Sequence, residues 1–154
     1  MTATAKSYEF PLDVRWLGGR RTIASVAGKG DLEVATPPEF KGGIAGVWSP
    51  EDLFVGSVAA CFAVTLVGVA ERRDVPLRAL DVSANGVVTQ RHDGRFGFTE
   101  VALKVELRTD PGFEEQAADA ADAAKAGCLV AASVDLPVRL ELAVRAAPLL
   151  EPVL

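Results

Sequence analysis

Over residues 96–109 the chain alternates, with Val101, Leu103, Val105 and Leu107 apolar and Ala102, Lys104, Glu106 and Arg108 between them. A period of two sends the two sets to opposite faces of a strand, so the pattern predicts a sheet with one buried and one wetted side. Residues 80–91 read as its hairpin partner, because Asp93-Gly94 between the two runs favours a tight turn. Residues 138–144 alternate again and predict a last strand. Nearer the N-terminus, residues 7–17, 20–27 and 31–36 are strand-like. They are separated by Gly18-Gly19 and Gly28-Lys29-Gly30 and closed by Pro37-Pro38, which suggests an antiparallel meander.

The pattern changes after the glycine-rich loop of residues 40–48. Ser49-Pro50-Glu51-Asp52 carries the marks of a helix start: a capping serine, a proline at the first helical position, and an acid three residues on to complete a capping box. The predicted helix runs to about Arg73, with acids at its positive end and Arg72 and Arg73 at its negative end. A second helix, rich in alanine and acids, should open at Asp110-Pro111 and end at Gly127. The order βββ-α-ββ-α-β, with strands and helices in separate runs, predicts an α+β fold.

The first helix is apolar on every side, with no charged side chain from Leu53 to Ala70. That is the lower edge of a membrane-spanning length, but Gly56, Ser57, Gly68 and the surrounding soluble strand patterns speak for a buried helix and no membrane. Such a helix must be covered all round, and one sheet face of a small domain covers only part of it. An obligate homodimer is the expectation; the alternative is that the second helix closes over the open side within one chain.

Length and composition narrow the rest. A chain of 154 residues that is 49% hydrophobic and 24% charged should fold as one domain over residues 1–154. A net charge of -5 and the absence of a basic stripe argue against a nucleic-acid partner. Met1 to Leu12 lacks the apolar core of a secretory signal, so a cytoplasmic location is expected. In a reducing compartment the two cysteines, Cys61 and Cys128, point to catalytic or redox-sensing thiols more than to a permanent staple. The single histidine, His92, cannot supply a catalytic triad or a histidine metal cluster, and Gly28-Lys29-Gly30 lacks phosphate-loop spacing. No metal, nucleotide or other bound cofactor is expected.

Taken by position alone, the two cysteines differ. Cys61 falls in the middle of the apolar helix, where a free cysteine often serves as a small hydrophobe. Cys128 follows the helix-ending Gly127 and starts the short segment 129–134, a possible further helical turn whose free amides would favour a thiolate. By this reading Cys128 has the more reactive setting.

Two blocks of sequence now carry a resemblance. Ser49-Pro50-Glu51-Asp52-Leu53-Phe54 followed by Ala59-Ala60-Cys61 resembles the central helix of the OsmC/Ohr family of thiol peroxidases. Ala126-Gly127-Cys128, followed by Pro137-Val138-Arg139-Leu140, resembles that family's second cysteine segment. The resemblance implies antiparallel sheets wrapped around central helices in an intertwined homodimer, with a site at each subunit interface that reduces organic hydroperoxides or hydrogen peroxide at the expense of an external dithiol. It implies that Cys61 is the thiol that attacks peroxide and becomes a sulfenic acid, and that Cys128 resolves it as a disulfide. It implies a site arginine just after the glycine turn, where Arg20 and Arg21 both stand, with spacing from Gly30-Asp31-Leu32 slightly favouring Arg21. Glu51 would be that arginine's carboxylate partner. Where many members follow the second cysteine with proline and a small hydroxyl residue, this chain has Leu129, Val130 and Ala131.

Glu51 and Cys61 lie ten residues apart on one helix, so their backbones are roughly 15 Å apart at 1.5 Å rise per residue. If both serve one site, a long arginine bridges the gap or the glutamate comes from a second subunit. Two other readings remain open at this level: a redox sensor or noncatalytic dimer that binds an apolar ligand, and a structural dimer with two inert core cysteines.

Overall fold

In the computed structural model the described residues are 6–148. They form two compact units that divide between Leu53 and Phe54. The elements run β1 (Asp13–Gly18), β2 (Arg21–Ser25), β3 (Leu32–Ala35), α1 (Pro50–Arg72), β4 (Leu77–Gln90), β5 (Phe96–Thr109), α2 (Glu114–Gly127), α3 (Leu129–Ala132) and β6 (Val138–Ala146). The architecture is α+β in the predicted order, and the short turn after Cys128 is present as α3.

In the N-terminal unit, β1, β2 and β3 form an antiparallel sheet in that order. The turn between β1 and β2 uses Gly18 and Gly19 at φ 105° and 55°, a region closed to most side chains. β1 starts six residues later than its alternating sequence suggests, at Asp13 opposite Ser25, because β2 ends there and earlier residues have no partner strand. The predicted capping box forms: the Ser49 amide donates to Asp52 Oδ2 at 2.8 Å, and the Asp52 amide donates to Ser49 Oγ at 3.0 Å. Two amides that the helix would otherwise leave unpaired are thereby satisfied.

The second unit holds the main core. Its sheet has the order β4-β5-β6, with the long central β5 sending Val101, Leu103, Val105 and Leu107 inward. α1 lays Val58, Phe62, Leu66, Val69 and Ala70 into the same core. By length and composition α1 could cross a bilayer, and in this structure that stripe serves as core. Ser57, Ala60, Val64 and Val67 remain exposed on another side of the helix. α2 contributes only alanines, Ala117, Ala120, Ala121 and Ala124, and so approaches β5 and β6 closely.

Two features of this unit differ from the sequence reading. The sheets are not antiparallel throughout: β6 runs parallel to β5, from Val101 opposite Val138 to Thr109 opposite Ala146. The reason is connectivity, since α2 and α3 return the chain to the start of β5, and a crossover of that kind joins parallel strands. α2 also begins at Glu114 rather than at Asp110-Pro111. The Asp110 carboxylate is taken by a fork from Arg78 Nε and Nη2, each at 2.6 Å, and Phe113 stands at the N-cap without a side-chain cap bond. At its other end α2 is stopped by the extended backbone of Cys128, with φ -69° and ψ 110°, rather than by a left-handed glycine.

α1 crosses β4 at Gly86. A Cβ there would stand 2.5 Å from Val55 Cγ2 and 2.7 Å from Phe98 Cε1. Neither neighbour yields easily, since valine is stiff at χ1 and the Phe98 ring is stacked on Phe54 at 4.5 Å between centroids. Gly86→Ala should therefore lower stability by about 1–3 kcal/mol through overpacking, read as a fall in the urea midpoint with unchanged slope. A substituted chain as stable as the parent would show that α1 does not press on β4 here.

Candidate functional site

The site is built where the middle of α1 meets the bend between α2 and α3. Cys61 lies on α1 and is half-buried, whereas Cys128 is 1% exposed and belongs to the core cluster. Both are free thiols. The core brings them together: Cys61 packs against the cluster that contains Cys128, near enough that each shifts the other's acidity. This is the meeting that spacing alone could not establish.

α3 is a single turn that has lost its usual cap. The Ala132 amide is bonded to the Cys128 carbonyl at 3.0 Å, and Cys128 at the N-cap makes no side-chain cap bond. The Leu129, Val130 and Ala131 amides precede the first internal bond and need other acceptors. The neighbouring sulfurs feel them: the Val130 and Leu129 amides favour a Cys61 thiolate, and the Ala131 and Val130 amides favour a Cys128 thiolate.

These bonds divide the two thiols. For Cys61, burial pushes the thiol up and is the largest single influence, yet bonds from the Val130 amide, the Cys128 thiol, the Thr65 hydroxyl and the Leu129 amide together outweigh it. The thiol ends below its ordinary range. For Cys128, burial again pushes upward; the Ala131 and Val130 amides oppose it, but its bond to Cys61 and the charge on Cys61 hold it above the ordinary range. The sequence expectation is thus reversed. Cys128 has the helix N-terminus beside it, but its amides also reach Cys61, which is less buried and can carry the charge.

The remaining predicted residues lie in the N-terminal unit. Arg21, on β2, donates from Nε to Glu33 Oε1 on β3 at 2.6 Å, and this exposed bond holds the Glu33 carboxyl below its usual range. Arg20, in the turn before β2, lies against the loop that follows β3: its Cγ would be 3.3 Å from a Cβ on Gly42. Glu51 sits in the first turn of α1, with Oε2 buried and without a hydrogen-bond partner among the described residues. The Arg21–Glu51 pairing implied by the resemblance is therefore not made within the chain, where Arg21 takes Glu33 instead.

Sequence reasoning missed Thr65, and it gave the amides that open at Leu129 to Cys128 alone, whereas Leu129 acts on Cys61. Thr65 stands four residues after Cys61, the spacing that puts two side chains on one helix face, and that was the available signal. Leu129 acts through its backbone; a proline there would have no N–H to give. Among the described residues, no group of three or more His, Cys, Asp and Glu side chains could hold a metal ion. A cavity of about 670 Å³ lined by Arg78, Arg108, Asp110 and Pro148 includes neither cysteine, and its Arg78 is already committed to Asp110.

A buried thiol beside a less buried one whose acidity is raised, on the middle of a core helix, is an arrangement for sulfur redox chemistry. Residues 43–143 match the family model described as OsmC-like protein. The chain belongs to the OsmC-like family. It is 23% identical to the uncharacterized protein YmaD of Bacillus subtilis over 140 residues, covering 88% of this chain and 92% of that protein. Among solved structures, it is similar to an OsmC-like protein of unknown function from Vibrio cholerae, with a TM-score of 0.80 at 17% identity over 89% of this chain and 100% of that one. It is also similar to an organic hydroperoxide resistance protein from Elizabethkingia anophelis, with a TM-score of 0.74 at 23% identity over 94% and 100% of the two chains. The OsmC-like fold is thus shared at low identity, and the chemistry must be argued from the site.

The thiol assignment can be checked directly. Alkylation followed by peptide mass spectrometry across pH should give Cys61 a midpoint below that of an ordinary thiol and Cys128 one above it, with Cys61 modified first at neutral pH. The opposite order would contradict the hydrogen-bond scheme.

Proposed function

We propose that this OsmC-like chain reduces hydroperoxides with Cys61 as the attacking thiolate and Cys128 as the resolving thiol. The observation that carries the reading is that two free cysteines from distant segments, Cys61 on α1 and Cys128 at the α2–α3 bend, pack into one cluster, and the surroundings lower the one thiol and raise the other. A peroxide needs a thiolate to attack it, and a resolving partner serves best if it stays protonated until a sulfenic acid is present. The name of the Elizabethkingia anophelis relative agrees with this substrate class.

The Cys61 thiolate attacks the outer oxygen of ROOH, the S–O bond forms, the O–O bond breaks, and the alkoxide leaves as ROH after taking a proton from water. Cys61 is now a sulfenic acid, oxidised by two electrons, and the peroxide is reduced by two. The Cys128 sulfur attacks Cys61; the S–S bond forms, hydroxide leaves, and the Cys128 proton joins it as water. An external dithiol then exchanges with the disulfide, returning both thiols and leaving oxidised as its own disulfide. These steps use no bound cofactor, and the reaction suits a cytoplasmic setting that keeps dithiols reduced.

In this reading the working unit is an intertwined homodimer in which residues 1–154 of each chain act as one OsmC-like domain. Two exposed apolar surfaces support it. Tyr8, Phe10, Leu12, Val14 and Trp16 recur at every second position of the N-terminal segment, and Val64 and Val67 lie along the open side of α1. A second copy of the chain is the cover for both. The buried and unpartnered Glu51 Oε2 supports an arginine arriving there in the dimer, with Arg20 the better placed to be spared because Arg21 holds Glu33.

One equivalent of tert-butyl hydroperoxide should convert each chain to a form lacking two hydrogens, with Cys61 joined to Cys128, and dithiothreitol should restore it. Cys61→Ser should bring peroxide consumption down to the uncatalysed rate. Cys128→Ser should consume a single equivalent and leave a sulfenic acid that dimedone traps. Sedimentation equilibrium should return twice the 16.2 kDa chain mass. Intact thiols after peroxide would refute the reading, and oxidation that dithiols cannot reverse would favour a sensor instead.

A further inference from the structure

At its start β4 carries one residue more than the strand it pairs with. Leu77 stands opposite Thr109 and Ala79 opposite Arg108, which leaves Arg78 as the extra residue of a β-bulge. A bulge breaks the alternation of faces. Leu77 and Leu80 both pack against the core, so Arg78 and Ala79 fall together on the outer side of the sheet, where Arg108 stands exposed between the buried Leu107 and Thr109. The two arginines thereby line one cavity of about 670 Å³. Asp110, at its edge, takes Arg78 by Nε and Nη2, each at 2.6 Å. That fork fixes the plane of the guanidinium and leaves the Nη1 donors to other acceptors. Arg108 has no such partner: among the described residues it makes no ion pair, and it faces Arg145 directly across the β5–β6 register, where like charges repel. Asp81 and Glu106 stand opposite one another in the adjoining row and pair with neither arginine. Guanidiniums left facing each other without a counterion break a local rule, and such exceptions gather at functional sites.

We propose that the bulge builds a binding site for a small organic anion, whose carboxylate or phosphate group is held between Arg78 and Arg108. Guanidinium forks match the oxygens of both groups. Asp110 offsets the charge of Arg78 and positions it, so Arg108 supplies the uncompensated charge, reinforced by Arg145 from the next strand. The carbon body of the ligand meets Ala79 and Ala147, with Pro111 and Pro148 beside them. Small side chains on these walls keep the cavity open, at a volume suited to a small organic molecule rather than to a bare oxyanion. Neither cysteine borders it. The site is therefore separate from the thiol centre and stands whether or not the chain reduces peroxides.

The test is isothermal titration calorimetry of the full chain with phenyl phosphate, benzoate and benzyl alcohol, which share a ring and differ in the head group. At least one of the two anions should bind, and the neutral alcohol should not; binding of phenyl phosphate alone assigns the site to phosphate esters, and of benzoate alone to carboxylates. Arg108→Gln should weaken the anion roughly tenfold or more, as expected for a lost charge-assisted pair. Ala79→Leu keeps every charge but fills the cavity, and it should weaken the anion as well. Lys104→Gln removes a positive charge from the same sheet face outside the cavity and should leave the affinity unchanged. Absence of binding by either anion, benzyl alcohol bound as tightly as the anions, or an equal loss in the Lys104→Gln and Arg108→Gln chains would overturn the proposal.

Discussion

The amides that open α3 receive no cap bond from the Cys128 side chain, and they act instead on two sulfurs, those of Cys61 and Cys128. Much of the chemistry follows from this one requirement. Amides near a sulfur stabilise the thiolate, and the two sulfurs compete for that stabilisation. Cys61 prevails because it is only half-buried and also takes a hydroxyl and a thiol as donors. Cys128 is buried, gives its hydrogen to its neighbour and remains a thiol. A capping oxygen on α3 would satisfy the same amides and leave both cysteines closer to ordinary.

The core around this turn is arranged to bring it to α1. Alanine on every buried position of α2 lets that helix lie close to β5 and β6, and Gly86 gives α1 a place to press against β4. Between them Phe62 and Leu66 fill the volume, each directly following in sequence a half-buried residue, Cys61 and Thr65. Small residues at the crossings and large ones between them set the depth of the thiol, and so the balance between desolvation and hydrogen bonding that decides its charge.

Local features were legible in the sequence. Ser49, Pro50 and Asp52 specified the start of α1, and Asp93-Gly94 specified the hairpin, because each acts within four residues of itself. The alternation in β5 gave its buried face correctly. What was not legible depends on distant partners. β1 starts where β2 ends rather than where its own alternation begins, and β6 is parallel because of the path taken by α2 and α3. Position alone favours Cys128 as the more reactive thiol, and only the resemblance points to Cys61, since the amides that follow Cys128 in sequence also act on a sulfur on another helix in space. Thr65 and Leu129 belong to the same class: their importance lies in whom they meet.

The parallel pairing of β6 with β5 has a further consequence for how the chain acquires its chemistry. Local structure can form α1, the β4–β5 hairpin and α2 early, but docking β6 requires closure of the whole α2–α3 excursion, a non-local step of the slow kind. The α3 turn is held near α1 by the α2 alanines and Cys128 packed into the core that α1 and β5 share, and β6 completes that support by covering α2 from the other side. The difference between Cys61 and Cys128 is in that sense a tertiary property: it depends on segments far apart in sequence, α1 and the α2–α3 bend, being held together by the whole core.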